Sequence, residues 1–473
     1  MQLRDFPLPW LALAFSSTMG CSGTATLEDA GRDDTGAETR AGETRSGSRL
    51  RVLSWASEGG GLAFSGVLHD ELLDVNCMMQ TATDGRLRCL PATSWYDTAY
   101  ADPGCTERVV VRRSCDSDRY ALGAPRPTAS CDEPVGVPVY AVGATRTERV
   151  VHVPTGGCVA VPVEAGSSVV ELGEELSPNE FVGAEVVVDG TERLAPRALV
   201  ADDGAVLAIG IHDRELDAEC AARSATASER CLPTARAFII APLFSDASCS
   251  APIAIDTGLV PTCERARTAW DVSLRIGYQG YSRVGEEISG PRYSGTSRSC
   301  AIEMRASPPR AWAVGAPFAE EDFARLTLTS DGSARVVARR WVDEAGRALS
   351  HATELYDTET RMVCRPTLFP DGYRCISGTS VADLYYADAA CSTPIVLRDA
   401  SGGPAPMATS LHRSSDACDP VESDGVFAVG ARVTPTSVWV RGMDRVCRTY
   451  TPIPDAVFYA RGEPIDAPAL TLR

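Results

Sequence analysis

The chain has no lysine: all 45 of its basic residues are arginine. That absence excludes a Schiff-base lysine and the lysine of a nucleotide-binding P-loop, although codon bias in a GC-rich genome explains it as simply. Histidine is scarce, at 5 in 473 residues. Beyond the N-terminus no stretch approaches the roughly 18 apolar residues that cross a bilayer as a helix. No apolar pattern of helical period lasts about 12 residues. No two cysteines lie closer than Cys105 and Cys115, so the CxxC knuckle of zinc and redox sites is missing. A net charge of −18 leaves no basic track to neutralise phosphates, which excludes nucleic acid as a partner. The motifs GxSxG, HExxH, GxGxxG, the Walker loop and the EF-hand loop are absent, so no cofactor and no metal ligand set is expected.

What is present is repetition. The stretch Leu68 to Cys105 returns as Ile211 to Cys249 and as Leu355 to Cys391, with first cysteines Cys77, Cys220 and Cys364 spaced 143 and 144 residues apart. This divides the chain into β repeats at 49–190, 191–322 and 323–473. Each repeat opens on Arg-Leu, at Arg49-Leu50, Arg193-Leu194 and Arg325-Leu326. On that alignment the third carries about a dozen extra residues around Arg340 to Glu344, read as a lengthened hairpin. A further motif, aromatic-Ala-Val-Gly-Ala, falls at Tyr140, Trp312 and Phe427. It starts nine residues after Cys131 and Cys418 but twelve after Cys300, so it recurs at non-equivalent places.

Alternation in Leu50, Val52 and Leu326, Leu328, and the β-branched runs Val109–Val111 and Val186–Val188, predict an all-β fold. Two architectures fit: a closed propeller-like body of about six blades, or three tandem β domains.

Seventeen cysteines at wide spacings describe an oxidised framework in an exported protein. Residues 1–20 form a lipoprotein-type signal, with Arg4 ahead of an apolar core and Cys21 behind Thr18-Met19-Gly20. Cys21 is therefore expected to be acylated, the alternative being ordinary secretion. Residues 21–48 are polar and small and read as a tether between anchor and body. Removing Cys21 leaves sixteen cysteines, an even number that can pair completely. The expected bridges are Cys77–Cys89, Cys220–Cys231 and Cys364–Cys375, each stapling one hairpin and worth about 3 kcal/mol in the chain-entropy model. Cys249–Cys263 and Cys391–Cys418 come next. Cys158, Cys300 and Cys447 are left to bridge within or between units.

Within each copy Asp70, Asp213 and Asp357 stand seven residues before the first cysteine, and Asp102, Asp246 and Asp388 three before the third. Carboxylates at fixed positions suit calcium. They equally cap turns by accepting backbone amides, and recurrence in every copy favours that structural use. Asp84-Gly85 and Asp371-Gly372 read as hairpin turns, replaced by Ser228-Glu229 in the second copy. Arg88, Arg230 and Arg374 precede the second cysteines and are expected to pair with carboxylates of their own repeats. His69 and His212 give way to Tyr356, which speaks against acid–base work.

The cassette, from Cys77 through Arg88-Cys89-Leu90-Pro91 to Tyr100-Ala101-Asp102 and Cys105, resembles repeats of uncharacterised cysteine-rich bacterial lipoproteins and exported proteins. The resemblance covers all three copies, and it implies a fold rather than an activity. The expected role is a membrane-anchored, extracytoplasmic envelope protein that binds or scaffolds a glycan or another envelope protein. The alternative is an extracytoplasmic hydrolase or lyase whose carboxylates converge at one face of a propeller-like fold. The sequence singles out no catalytic residue.

Overall fold

The computed structural model describes residues 44–473 apart from internal stretches, the longest being 125–135, 257–267, 272–279, 399–406 and 413–421. The signal segment, Cys21 and nearly all of the tether lie outside the described residues. The described chain is all-β, with 3₁₀ turns at Pro178–Glu180 and Glu320–Asp322 as its helical pieces.

Each repeat begins with four antiparallel strands in succession. They are Leu50–Ala56, Leu62–Asp70, Val75–Thr81 and Leu87–Pro91 in the first repeat. Leu194–Ala201, Val206–Asp213, Ala218–Ser224 and Glu229–Pro233 follow in the second. Val336–Val342, Glu354–Asp357, Met362–Phe369 and Gly372–Ser377 follow in the third. Three more strands, Gly183–Val188, Arg325–Ser330 and Ala469–Leu472, join one set to the next, and the ladder of fifteen strands closes on itself.

These joining strands divide their pairing. Gly183 and Ala184 pair back onto Arg88 and Leu87, while Ala184 to Val188 pair forward onto Ala201 to Arg197. Arg325 and Leu326 pair back onto Arg230 and Glu229, and Thr327 to Ser330 pair forward onto Val342 to Arg339. Ala469 and Leu470 pair back onto Arg374 and Tyr373, and Thr471 and Leu472 pair with Ala56 and Trp55 of the first repeat. The chain's last strand thus closes the ring, which removes the exposed edges that an open ladder would leave.

This geometry corrects the alignment of the third repeat. Leu50 lies opposite Asp70, Leu194 opposite Asp213, and Val336 opposite Asp357. The counterpart of Arg49 and Arg193 is therefore Arg335, and Arg325-Leu326 belongs to a joining strand. The dozen extra residues vanish with that change: they are the joining strand itself, whose counterpart for the first repeat comes from the far end of the chain.

The core follows the same three-fold pattern. Leu50, Leu68, Cys77 and Cys89 pack against Leu199 and Leu207 of the second repeat. Leu194, Ile211, Cys220 and Cys231 pack against Leu326 and Leu349 of the third. Val336, Leu355, Cys364 and Cys375 pack against Leu470 and against Ala63 of the first. Each unit buries its apolar face on its successor, so no unit is a complete core alone.

Between leaving the ring and returning to it, each repeat forms a side sheet, of seven, seven and eight strands. The all-β body therefore consists of three ring units alternating with three side sheets, in place of six four-stranded blades. In each side sheet two long strands cross closely: Val142 lies opposite Leu172, Val284 opposite Val314, and Val429 opposite Arg461, with register shifts on either side. Glycine makes the crossing feasible. A Cβ on Gly173 would sit 2.9 Å from the carbonyl oxygen of Ala141, and one on Gly462 2.8 Å from that of Ala428. The aromatic-Ala-Val-Gly-Ala motif occupies the first strand of the crossing at Tyr140 and Phe427, but the second at Trp312. Both strands need the same glycine, so the motif can appear on either. That accounts for its broken register.

Candidate functional site

The repeated aspartates divide into two sets, and both are spent on the fold. Asp70, Asp213 and Asp357 are fully buried. Asp70 accepts the amides of Leu72 and Leu73 and both donors of the Arg49 fork, at 2.7 Å each. Asp213 does the same with Glu215, Leu216 and Arg193. Asp357 does it with Glu359, Thr360 and Arg335. A carboxylate offers about four acceptor sites, and these are filled.

The second set sits in exposed turns. Asp102 accepts the amides of Gly104, Thr106 and Glu107 and the Thr106 hydroxyl. Asp246 accepts the Ser250 and Ala251 amides and the hydroxyls of Ser248 and Ser250. Asp388 accepts the amides of Ala390, Ser392 and Thr393. The Glu107 amide above all holds the Asp102 carboxyl down at about 2, and the Ser392 amide above all does so for Asp388, also about 2. Asp246 is pulled well below the usual carboxylate range, chiefly by the Ser248 hydroxyl. The turns end on Cys105, Cys249 and Cys391, whose φ values of 53°, 52° and 50° are left-handed. These caps hold the cysteines in a backbone conformation that L-residues rarely adopt. Calcium would have to displace an amide or hydroxyl for every oxygen it gained. Among the described residues no cluster of three or more His, Cys, Asp or Glu is arranged to hold a metal.

The arginine before each second cysteine ties the returning chain to the ring. Arg88 donates to the Phe181 carbonyl at 2.7 Å, Arg230 to that of Phe323 at 3.0 Å, and Arg374 to that of Ala467 at 3.0 Å. Each also meets a carboxylate of its own repeat: Asp84, Glu320 and Asp371 respectively. Gly85 and Gly372 take positive φ in the hairpin turns, as a glycine there requires. His69 and His212 face Asp74 and Asp217 at 3.7 and 3.5 Å on the rim of the ring. In the third repeat that pair becomes Tyr356 and Arg361, and the Tyr356 ring is covered by Arg339 at 4.3 Å.

Six disulfides join the twelve described cysteines. Cys77–Cys89, Cys220–Cys231 and Cys364–Cys375 staple the ring hairpins. Cys105–Cys158, Cys249–Cys300 and Cys391–Cys447 tie each capped turn to the outermost hairpin of its side sheet. Two expectations are thereby corrected: Cys249 bonds Cys300 rather than Cys263, and Cys391 bonds Cys447 rather than Cys418. The capped turn points each cysteine at the outer hairpin of its side sheet. Cys263 and Cys418 themselves, like Cys115 and Cys131, lie outside the described residues.

A cleft of about 350 Å³ opens in the third side sheet, lined among others by Thr393, Ile395, Val433, Thr434, Pro435 and Arg461. The register of the crossing strands identifies its counterparts. In the first repeat Arg146, opposite Val169, takes the place that Val433 holds opposite Phe458. Arg146 forms ion pairs with Glu107 and Glu148, which stand where the third repeat has Thr393 and Pro435. In the second repeat Ile288 holds the place and packs on Leu243, Ile253, Ile255 and Ala311. The same groove is thus filled by a salt-bridge network, filled by isoleucine, or left open.

Comparison with known proteins places the chain. A model of a family of unknown function matches residues 26–314 and again 310–473, which together take in all three repeats. The chain belongs to DUF7481. The junction of the two matches falls in Ala311–Pro317, the last strand of the second side sheet, so one match spans two repeats and the other spans one. No curated protein and no solved structure matches this DUF7481 chain. The cleft has no signature in the sequence, because it is defined by what is missing at Val433, and only the pairing register aligns Val433 with Arg146.

Proposed function

We propose that this protein is an extracytoplasmic binding scaffold, held to the cell envelope through an acylated Cys21, whose side sheets engage another envelope protein. One observation carries the reading. The polar residues that recur in every repeat are consumed by turns and ion pairs, while the outer hairpins expose aliphatic side chains. Val150, Val159 and Val161 do so in the first repeat, Ile302 in the second and Val446 in the third. Aliphatic rather than aromatic exposure favours a protein partner over a glycan, since stacking on sugar rings needs aromatic faces. Six disulfides suit an oxidising compartment. No helix among the described residues is long and apolar enough to cross a membrane.

Expression of the full chain in a bacterial host that processes lipoproteins tests both parts. Membrane-fraction protein should carry a lipid-modified Cys21 at its mature N-terminus, and Cys21→Ala should move it to the soluble fraction. A photo-crosslinking residue at Val159, Ile302 or Val446 should capture one discrete envelope partner. A mature protein that starts at another residue would overturn the anchor, and crosslinks no different from those at an exposed ring position would overturn the binding surface.

A further inference from the structure

We propose that the outer edge of the first side sheet is a dimer surface, on which Val159–Pro162 pairs antiparallel with the same strand of a second copy of this chain. That strand forms one edge of its sheet and is exposed along its whole length. Its register decides which backbone groups face out. Val163 donates its amide to the Arg149 carbonyl, so Val163, Val161 and Val159 form the hydrogen-bonded pairs with the neighbouring strand Val150–Val153. The amide and carbonyl of Ala160 and the carbonyl of Pro162 therefore turn outward. Proline stands where an amide would face solvent. What fits such an edge is an extended main chain.

Side chains and charge select the strand's own copy. Val159 and Val161 lie opposite Val153 and Val151, and Val151 is buried with Ala99, Val109 and Val169. The core face of the sheet thus runs out to its edge and ends there on two valines, 49% and 37% exposed. A two-fold axis at Ala160 sets Ala160 against its copy in a hydrogen-bonded pair. It sets Val159 against Val161 of the other chain, so the valine row continues across the join. Each chain carries a net charge of −18, yet Val159–Pro162 contains no charged residue. Glu164 follows at its C-terminal end. Antiparallel pairing about Ala160 holds the two copies of Glu164 about 27 Å apart, several times the Debye length of about 8 Å. A parallel pairing would set them side by side. The outer edges of the other side sheets are guarded by charge. Ser299–Ile302 lies between Arg298 and Glu303, and Cys447–Tyr450 contains Arg448. Self-pairing is thus confined to the first.

The test is sedimentation equilibrium on the disulfide-intact full chain carrying Cys21→Ala, so that no acyl group drives association. It should show a monomer–dimer equilibrium with a Kd of roughly 10–100 µM, weak because one strand pair is a small contact. Ala160→Pro removes only the outward amide and should weaken the dimer about tenfold or more. Val161→Lys, at an exposed position, should do the same and serves if the first variant fails to fold. Ala160→Cys should form in air a disulfide between copies, mapped to residue 160 of both chains, because the Cα atoms of a hydrogen-bonded pair stand about 5.5 Å apart. A chain that stays monomeric up to about 1 mM, ten times the weakest expected Kd, would overturn the surface. So would undiminished association in folded Ala160→Pro or Val161→Lys, or no such disulfide at residue 160. Capture of a different protein in place of a second copy by a photo-crosslinker at Val159 would also overturn self-pairing. The envelope-partner reading survives any of these results, since Ile302 and Val446 report on it separately.

Discussion

The ring and the side sheets obey the same three-fold repetition but keep it to different depths. In the ring, the apolar residue, the buried aspartate, the arginine fork, the hairpin disulfide and the arginine-to-carbonyl tie recur in all three copies. In the side sheets only the staples recur: the capped aspartate, the left-handed cysteine, its disulfide and the glycine crossing. The packing between those staples varies from an ion-pair network to a cleft. A ring whose units each lean on the next constrains every copy equally, because a fault in one exposes the core of another. A side sheet meets the ring at its inner end and is stapled at its outer end, and the packing between the two changes from copy to copy. The variable positions Arg146, Ile288 and Val433 sit in the side sheets, and the cluster against which Ile288 packs contains no ring residue.

The largest effect should come from breaking the closure. Deletion of residues 469–473 leaves Trp55 and Tyr373 without their strand partner and uncovers the apolar cluster around Leu470. It should abolish the cooperative calorimetric transition or leave the protein aggregated. Replacing Val159–Pro162 by Gly-Ser repeats, an edge strand exposed along its whole length, should lower the midpoint by only a few degrees at most. Equal losses from the two would erase the distinction between ring and side sheet.

Next in size is the buried ion pair. Asp70→Ala strands the Arg49 guanidinium and two amides beneath the ring, and should cost about 3–5 kcal/mol in chemical denaturation. Its counterparts Asp213→Ala and Asp357→Ala should cost the same within about 1 kcal/mol, if three-fold equivalence is energetic as well as geometric. Asp102→Ala, in a solvated turn, should cost distinctly less.

Which parts of this were legible beforehand depends on sequence distance. The hairpin cysteines and the turn aspartates act on neighbours within about a dozen residues, and local chemistry exposes such features. The ring closure is not local: the strand completing the first unit lies at Ala469–Leu472, and no pattern at residue 50 points there. Arg325-Leu326 imitates the opener Arg49-Leu50 because a joining strand, too, alternates apolar and polar residues. The side-sheet disulfides span 53, 51 and 56 residues, and that near-constancy across the repeats was a readable signal. Proximity in sequence pointed instead to Cys263 and Cys418, whose distances from the capped cysteines differ between copies. The cleft was out of reach, since an absent side chain has no motif.

The smallest effect is also the one that isolates the side sheets by titration. The amides and hydroxyls around Asp102, Asp246 and Asp388 favour the charged carboxylate, so all three folded-state values lie below the unfolded value of about 3.9. A depressed carboxylate contributes its stability above the unfolded pKa and loses it as pH falls through the folded one. Between pH 7 and pH 4 these caps should therefore leave stability unchanged, and from about pH 4 to about pH 2 they should make it fall. Asn at all three positions keeps one acceptor oxygen but cannot ionise. The triple variant should start less stable at neutral pH and show a shallower decline of urea midpoint below pH 4 than the unmodified chain. If its acid limb is as steep, the decline originates elsewhere. The capped turns then hold their cysteines by shape alone.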